Sequence, residues 1–401
     1  MIEDEMRRKR PTISDVASAA EVSVGTVSNY LNGTANVRPA TKLRIDDAVR
    51  RLAYRPSAFA RSLSANSPAR PQVDRAAMPR LIVVGYISVD YMCRVDVLPH
   101  RDDRITAHHI EKGLGGPAAN LAVAAAGIGA NGTFGMDVEL ATALGDDPDS
   151  DWAIAELSAK GVHALAIRRP TNNRLSRCIV FIEPNGSRTI VNEPFELSEM
   201  DLTDYFAIER ADRTSCLHIE GYHYERLRGS IDRFHQEGWK VSLHSAGLPG
   251  SARTPSGFLE VIERLDLVFA SDELVRDIFD IRASGQDLVN AVGAQLAQIG
   301  TRGHFVLTLG PLGAVVFPGD GQVPFTVPAL PVRPVDTTGA GDSFAGSFLA
   351  YWLNGALLST AARHAAASAS LTVTAEGAQG RTSSHEELLE AVSDFQLQQA
   401  S

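Results

Sequence analysis

After Arg80 the chain alternates short apolar runs with longer segments of helical spacing, and this alternation restricts the fold more than any other feature. The runs are rich in β-branched residues. Five of them span 81–87, 178–183, 240–244, 267–270 and 304–310. Strands that alternate with helices along a chain predict an α/β domain, in which helices flank a mostly parallel sheet.

The stretch SRCIVFIEPNGSRTIV, residues 176–191, departs from this alternation. Two β-like runs flank Pro-Asn-Gly, which is a turn signal typical of a hairpin. A hairpin inside an α/β chain predicts a small β lid.

The start of the chain differs in charge from the remainder. Residues 1–64 carry 11 Lys and Arg against 7 Asp and Glu, whereas the remaining residues carry 27 against 41. A basic head on an acidic body predicts two different partners. Three prolines lie within residues 66–79, and this run shows no apolar period. Such a stretch predicts a linker, with bounds 65–79. The predicted domains are therefore 1–64 and 80–395.

Composition argues against several other classes of protein. The cysteines, Cys93, Cys178 and Cys216, lack the spacing of a disulfide framework or a zinc site. Residues 1–10 lack the apolar region of a signal peptide, and the small-apolar run 121–130 is too short to span a bilayer. These observations predict a cytoplasmic protein that does not bind a membrane.

The basic head has the pattern of a DNA-reading module. Thr12 and Asp15 form a capping-box-like start, and Ser23 can cap a second short helix over 24–31. Two short helices this close predict an all-α helix-turn-helix, whose second helix exposes small and polar residues suited to base edges in a major groove. A small helical bundle used for protein contacts is the alternative.

The segments DVASAAEVSVGTVSNYLNG (15–33) and YRPSAFARSLS (54–64) resemble the DNA-binding head of the LacI family. The resemblance implies a hinge helix whose leucine enters the minor groove, and a homodimer on a palindromic double-stranded operator. Glu21 stands where the family usually has a turn glycine, and a left-handed non-glycine residue costs roughly 1 kcal/mol. The implied DNA contacts are Ser23, Val24, Gly25, Thr26, Ser28, Asn29 and Leu63.

The stretch VDTTGAGDSFAG, residues 335–346, places nearly bare backbone before an acid. If a helix begins here, its N–H groups and dipole form a hole for a transferring phosphoryl group. Asp342 can take the proton from an attacking hydroxyl, which phosphoryl transfer requires. The chemistry predicted is transfer from ATP to an alcohol; an ordinary N-capped helix is the alternative.

This stretch is similar to the second signature of the ribokinase/PfkB sugar kinases, and GGPAANLAVAAAGIGA (115–130) resembles the first. The resemblance covers roughly 80–395 and implies a ribokinase-like fold that uses ATP, Mg²⁺ and K⁺. By position, Asp342 is the implied catalytic base and Gly339, Ala340 and Gly341 form the anion hole. The other implied sites are Asp90, Gly115, Gly116, Asn120 and Glu220 for sugar, Thr308, Gly310 and Gly313 for ATP, and Asp336 and Thr338, with the loop 376–384, for the monovalent cation.

Three departures from the family pattern bear on metal and substrate. The family's Asn-x-x-Glu motif, linked to magnesium, reads Ser-Asp-Glu-Leu at 271–274, which leaves Asp272 and Glu273 as candidate metal ligands. Pro117 replaces a lysine and Ser88 an asparagine of ribokinases, so ribose is not the default sugar. The lid and GGPAA resemble a subgroup that includes a sulfofructose kinase.

The sequence predicts structural roles for four histidines. His108 and His109 lack a third ligand at metal spacing and are predicted on the lid surface, while His218 and His244 are predicted to be ordinary sheet-end residues.

Two classes of function remain open. The first is an active sugar kinase fused to a DNA-binding transcriptional regulator, which the intact Asp342 favours. The second is a transcription factor whose kinase fold only senses sugar or nucleotide, which the altered 271–274 motif favours. A kinase with a vestigial head is a third reading, and the completeness of the hinge segment disfavours it.

Overall fold

The computed structural model divides into two compact units, Met1–Gln72 and Val73–Ser401. Their border falls within the predicted linker, and the domain bounds stay a prediction. The residues that the structure describes are 13–20, 22, 27, 39–51, 78–129, 134–168, 174–184, 187–194, 210–300, 303–319 and 321–400.

The first unit contains two described helices, α1 (Ile13–Ala20) and α2 (Pro39–Arg51). Val16, Ala17 and Ala20 lie on one face of α1 and are buried. They belong to one apolar cluster with Val27 and with two α2 residues, Ile45 and Ala48. The apolar spacing read from the sequence therefore gives this unit a small core of its own.

The second unit is built on thirteen strands and ten α-helices among its described residues. The strands are β1 (Arg80–Val84), β2 (Ser88–Arg94), β3 (His109–Gly115), β4 (Asp137–Leu144), β5 (His163–Arg168), β6 (Arg177–Ile182), β7 (Arg188–Asn192), β8 (Ser215–Glu220), β9 (Lys240–His244), β10 (Leu267–Ser271), β11 (His304–Thr308), β12 (Ala314–Phe317) and β13 (Phe325–Val327). The helices are α3 (Pro117–Ile128), α4 (Pro148–Ala159), α5 (Gly221–Leu227), α6 (Ile231–Gln236), α7 (Pro255–Arg264), α8 (Asp272–Phe279), α9 (Gly285–Leu296), α10 (Ala340–Leu353), α11 (Leu358–Thr372) and α12 (His385–Ala400).

Nine strands form the main sheet, in the order β13-β12-β11-β10-β9-β8-β1-β4-β5. The seven strands from β11 to β5 are parallel, and β12 and β13 extend one edge as antiparallel strands. Parallel neighbours end at the same edge of the sheet, so side chains that follow β1, β8, β9, β10 and β11 meet there. The predicted α/β fold is confirmed.

Helices cover both faces of this sheet because its strands carry apolar side chains on both faces. On one face Leu81 and Val83 of β1 belong to a core with α3, α10 and α11 residues such as Leu121 and Phe348. On the other face Ile82 and Val84 belong to a core with residues of α5 to α9. An apolar core on each face of the sheet holds the carboxyl ends of the strands in fixed positions.

A second sheet of four strands, in the order β3-β2-β6-β7, forms the small lid. β6 and β7 pair antiparallel, as the Pro-Asn-Gly signal predicted. Cys178, Val180 and Ile182 of β6 cluster with Met92 of β2 on its inner face.

The three cysteines of the chain are free and buried. No helix within the described ranges is long and apolar enough to cross a membrane.

Asp147 caps α4 and also ties a separate segment to it. Its carboxylate accepts hydrogen bonds from the N–H groups of Asp149 and Ser150 and from that of Leu175, at 2.9 to 3.0 Å. We expect Asp147→Ala to lower the free energy of unfolding by about 2 kcal/mol, because these donors lose their acceptor. Urea unfolding followed by fluorescence measures this.

The matched control is Ser284→Ala at the N-cap of α9, where the serine side chain makes no cap hydrogen bond. It should change stability far less. Equal losses in the two variants would contradict the capping role of Asp147.

Candidate active site

The loop before α10 has the geometry of an anion hole. Gly339 is the N-cap of α10 and has a φ of 74°, in the left-handed region that favours glycine. A Cβ at this position would lie 2.8 Å from Cα of Ala378. The first N–H groups of the helix, those of Ala340 and Gly341, have no acceptor within the helix, so they can bind an anion.

Asp342 lies in the first turn of α10 and is 8% exposed. Its Oδ2 accepts a hydrogen bond of 2.8 Å from Nδ2 of Asn120, a residue of α3. Burial raises the pKa of the Asp342 carboxyl, while nearby His244 and the Asn120 hydrogen bond oppose the shift. A carboxylate held beside a helix N-terminus can accept a proton close to a bound phosphoryl group.

Asn120 is the middle of a hydrogen-bond chain that ends on Asp342. Lys160 donates to Oε1 of Gln379, and Nε2 of Gln379 donates to Oδ1 of Asn120, both at 2.9 Å. Both ends of the Asn120 amide thus bond to protein groups. The structure gives Asn120 a role in orienting Asp342, and its predicted contact with sugar stays a prediction.

A cavity of about 260 Å³ lies between the lid and the body. Asp90 and Met92 of the lid line it, together with Thr338 and the segment 376–380. Ser88 donates to Oδ1 of Asp90 at 2.8 Å; burial raises the pKa of this carboxyl, and that hydrogen bond opposes the shift. A partly buried carboxylate facing a cavity of this size suits hydroxyl groups of a small polar molecule.

The two glycines of the first signature lie where β3 ends and α3 begins. A Cβ on Gly115 would lie 2.1 Å from Oδ2 of Asp90, so glycine at this position makes room for the carboxylate. Gly116 is the N-cap of α3, whose first residue is Pro117. Gly115 thus lies against the carboxylate that faces the cavity, and the predicted sugar contacts of both glycines stay predictions.

Glu220 is buried at the end of β8, and its predicted contact with sugar stays a prediction. The residue is 1% exposed and is absent from the lining of the cavity that Asp90 faces. Its Oε2 accepts a hydrogen bond of 2.9 Å from the backbone N–H of Tyr86, and burial raises its pKa well above the ordinary range. The structure places Glu220 beneath the site at the end of β8, since the parallel sheet buries that strand end.

A second cavity, of about 290 Å³, adjoins the start of α10. Gly341, His244 and Thr308 line it, with Arg253 and Ser271. Gly310 and Gly313 shape the turn between β11 and β12, with φ values of 57° and 96°. Backbone N–H groups and an arginine around one cavity are suited to phosphates of a nucleotide.

The segment 271–274 uses its side chains for the helix it begins. Ser271 is the N-cap of α8, and its hydroxyl accepts from the N–H of Leu274 at 3.3 Å. Asp272 forms an ion pair of 3.2 Å with Arg276, and Glu273 is exposed. In the described part of the chain, no three His, Cys, Asp or Glu residues are grouped so that they could hold a metal ion. The geometry does not favour Asp272 and Glu273 as metal ligands, and that prediction remains untested.

Asp336 and Thr338 form a bonded unit beside the anion hole. Oδ1 of Asp336 accepts from N–H and Oγ1 of Thr338, at 2.9 and 2.6 Å, and Oδ2 accepts from N–H of Gly377 at 2.9 Å. Arg188 of the lid donates to Oγ1 of Thr338, and its Nη1 lies 4.0 Å from Asp336. The lid thus brings a guanidinium to the predicted cation-binding residues.

Three residues lie at this site in positions that the sequence did not predict: His244, Gln379 and Arg188. Nε2 of His244 lies 3.9 Å from Oδ1 of Asp342, so its description as an ordinary sheet-end residue was incomplete. Its position at the end of a predicted parallel strand was the available signal. His108 and His109 are exposed on the lid side, as expected.

The predicted DNA contacts, Ser23, Val24, Gly25, Thr26, Ser28, Asn29 and Leu63, lie outside the described residues.

The fold combines an open parallel sheet with a lid over its carboxyl edge. Beside a buried carboxylate it also has a helix N-terminus, and this combination defines a group-transfer enzyme of the α/β class. Residues 78–385 match the family model of the pfkB family carbohydrate kinases, and residues 12–57 match that of the bacterial regulatory proteins of the lacI family. The chain belongs to the pfkB family of carbohydrate kinases and carries a lacI-family head fused to the kinase body.

Individual relatives agree with this placement. An ATP-dependent ribose-1-phosphate kinase of Halopiger xanaduensis is 28% identical over 75% of this chain and 94% of its own. A deoxyribokinase of Salmonella typhimurium is 25% identical over 78% and 98%. The structure of Arabidopsis thaliana ribokinase with ribose and ATP superposes with a TM-score of 0.60 at 21% identity, over 79% of this chain and 99% of that one.

Proposed function

We propose that this protein transfers the terminal phosphoryl group of ATP to a sugar hydroxyl, with Asp342 as the proton acceptor. The observation that carries the proposal is that Asp342 is linked to both cavities. Through Asn120 and Gln379 it is bonded to the wall of the cavity that Asp90 faces. Gly341 beside it lines the other cavity.

In this reaction Asp90 accepts a hydrogen bond from one sugar hydroxyl and thereby orients another toward Asp342. The acceptor oxygen attacks the terminal phosphorus, the bond to the ADP oxygen breaks, and the hydroxyl proton passes to Asp342. The N–H groups at the start of α10 balance charge on the phosphoryl oxygens. Asn120 keeps Oδ2 of Asp342 occupied, which leaves Oδ1 for the proton.

Magnesium enters this proposal as an ion carried by the nucleotide phosphates, because the described carboxylates offer no cluster that fits it. Potassium is proposed at Asp336, where the carboxylate is 2% exposed and adjoins the anion-hole loop. Replacing K⁺ by a large organic cation in the assay tests whether such an ion contributes.

The experiment that tests the function is ADP release by the purified chain with ATP, Mg²⁺ and K⁺ over a panel of sugars. The names of the relatives place ribose 1-phosphate and deoxyribose in the panel, and the sequence adds ketoses, sugar acids and sulfofructose. Turnover on one sugar supports the kinase. Saturable binding of sugar or ATP without turnover on any sugar would instead support the sensor function, which the intact bond between Asn120 and Asp342 disfavours.

We also propose that the head binds a palindromic operator as part of a homodimer in the cytoplasm. The lid offers a surface for the second copy, since its outer face exposes Ile110, Ile179 and Val191 at 61%, 41% and 54%. Ile179 pairs with Tyr91 and with Val191 across adjacent strands, so these side chains share one face. Sugar or nucleotide binding at the lid then couples to the spacing of the two heads.

For DNA binding we expect selection from random duplexes to recover a palindrome that binds two chains. Sugar with a non-hydrolysable ATP analogue should change operator affinity 5- to 150-fold at fixed salt, which corresponds to a coupling of about 1–3 kcal/mol. Fluorescence anisotropy of labelled operator measures the affinity, and light scattering gives the stoichiometry. An affinity that stays the same with and without ligands would contradict the coupling.

A further inference from the structure

His244 lies at the carboxyl end of β9, directly beside Glu220 of β8 in the parallel register. Its side chain is 18% exposed, and its Nε2 lies 3.9 Å from Oδ1 of Asp342. The other oxygen of that carboxylate is held by Asn120 at 2.8 Å. The imidazole therefore faces the one oxygen of Asp342 that the hydrogen-bond chain leaves for the substrate.

The same imidazole lines the cavity of about 290 Å³, together with Gly341 at the start of α10. It is thus a neighbour both of the proposed proton acceptor and of the space that would receive the phosphoryl group. A sheet-end residue with only a packing role would not need to lie at this junction.

Several ionisable groups surround the ring. Asp342 faces it from α10, Glu220 and His218 adjoin it from β8, and Arg253 lines the same cavity. Burial lowers the pKa of His244, and Asp342 opposes that shift. Burial likewise raises the pKa of Asp342, and His244 opposes it. Each group therefore favours the charged form of the other.

We propose that His244 is a positioning residue for Asp342, whose imidazole holds Oδ1 in place and balances the carboxylate charge when the ring is protonated. The inference rests on the proposed kinase activity for its catalytic meaning. The contact between the two side chains can be tested without turnover, so the two claims fail separately.

The first experiment follows the histidine resonances of the intact, ¹⁵N-histidine-labelled protein over pH, without substrate. The signal of His244 is assigned by its loss in His244→Gln. In Asp342→Asn we expect His244 to titrate at lower pH than in the wild type, because the negative charge that favours the imidazolium is gone. A titration that Asp342→Asn leaves unchanged overturns the proposal.

The second experiment compares pH profiles of kcat, using the sugar that supports turnover. His244→Gln keeps a polar side chain but cannot take up charge, so Asp342 should become protonated at higher pH. The acid limb of the profile is then displaced to higher pH, and kcat near neutral pH falls about tenfold with little change in KM for sugar. An acid limb that coincides with the wild type, or moves to lower pH, overturns the proposal.

His235→Gln is the matched control. This histidine of α6 also faces a carboxylate, at 3.0 Å from Asp266, but it adjoins neither cavity. Its profile should overlay that of the wild type. If the wild type turns over no sugar, the proposed function fails, and the resonance titration still decides whether His244 and Asp342 are coupled.

Discussion

Asp342→Asn should lower kcat on the accepted sugar about a thousandfold and leave nucleotide binding nearly unchanged. The amide occupies the same space but cannot accept the hydroxyl proton, and a general base contributes about 10²–10⁴ in rate. A thousandfold loss corresponds to roughly 4 kcal/mol of transition-state stabilisation. ADP release and calorimetric titration with an ATP analogue measure the two quantities.

The same substitution should not destabilise the fold. Burial raises the pKa of Asp342, so folding penalises the ionised form of this carboxyl and favours the neutral form. Removing that charge should therefore leave Tm equal or higher. A loss of activity with a raised Tm separates a catalytic role from simple unfolding.

Asp287→Asn provides the comparison, since Asp287 also lies in the first turn of a helix, α9, but is exposed. It should keep wild-type kcat. If Asp342→Asn retained more than a tenth of the wild-type kcat, Asp342 would not be the proton acceptor.

The second large effect is expected at Asp336. Asp336→Ala removes the acceptor of three hydrogen bonds, two from Thr338 and one from Gly377, and all three donors lie in the loops that shape the site. Three donors are then left without their charged acceptor. This loss should lower the free energy of unfolding by an amount on the order of 3–5 kcal/mol. The anion-hole loop loses its anchor at the same time, so kcat should also fall.

Tryptophan fluorescence during urea unfolding isolates this effect. The three tryptophans of the chain, Trp152, Trp239 and Trp352, all lie in the second unit, so the signal reports the kinase body alone. Asp394→Ala on the exposed side of α12 is the control and should be nearly neutral. Equal urea midpoints for the two variants would show that Asp336 does not anchor the loop.

Much of the architecture could be predicted because it depends on local patterns. The run 240–244 coincides with β9, and the Pro-Asn-Gly signal lies between β6 and β7, as a hairpin requires. The Gly-Ala-Gly turn before Asp342 predicted a helix start, and α10 begins at Ala340. Each of these depends on residues adjacent in the chain, whose conformational preferences the sequence states directly.

The site could be predicted less completely. Glu220 ends a strand as expected, but it is buried against Tyr86 and does not line the cavity that Asp90 faces, because β8 is a central strand with neighbours on both sides. Asp272 has the right chemistry for a metal ligand, yet one helical turn places Arg276 against its carboxylate. Residue type suggested a role in both cases, and only the structure shows which neighbours each side chain has; both roles stay predictions.

The sequence by itself determined the two modules and the alternation that becomes the parallel sheet, and it predicted Asp342 as the reacting carboxylate. Only the tertiary structure decided which atoms surround that carboxylate. Asn120 lies 222 residues from Asp342, and Gln379 lies 259 residues from Asn120. Such groups meet because crossover connections bring distant strand and helix ends to one edge of the sheet. The order of the strands in that sheet depends on the packing of both cores rather than on any local pattern.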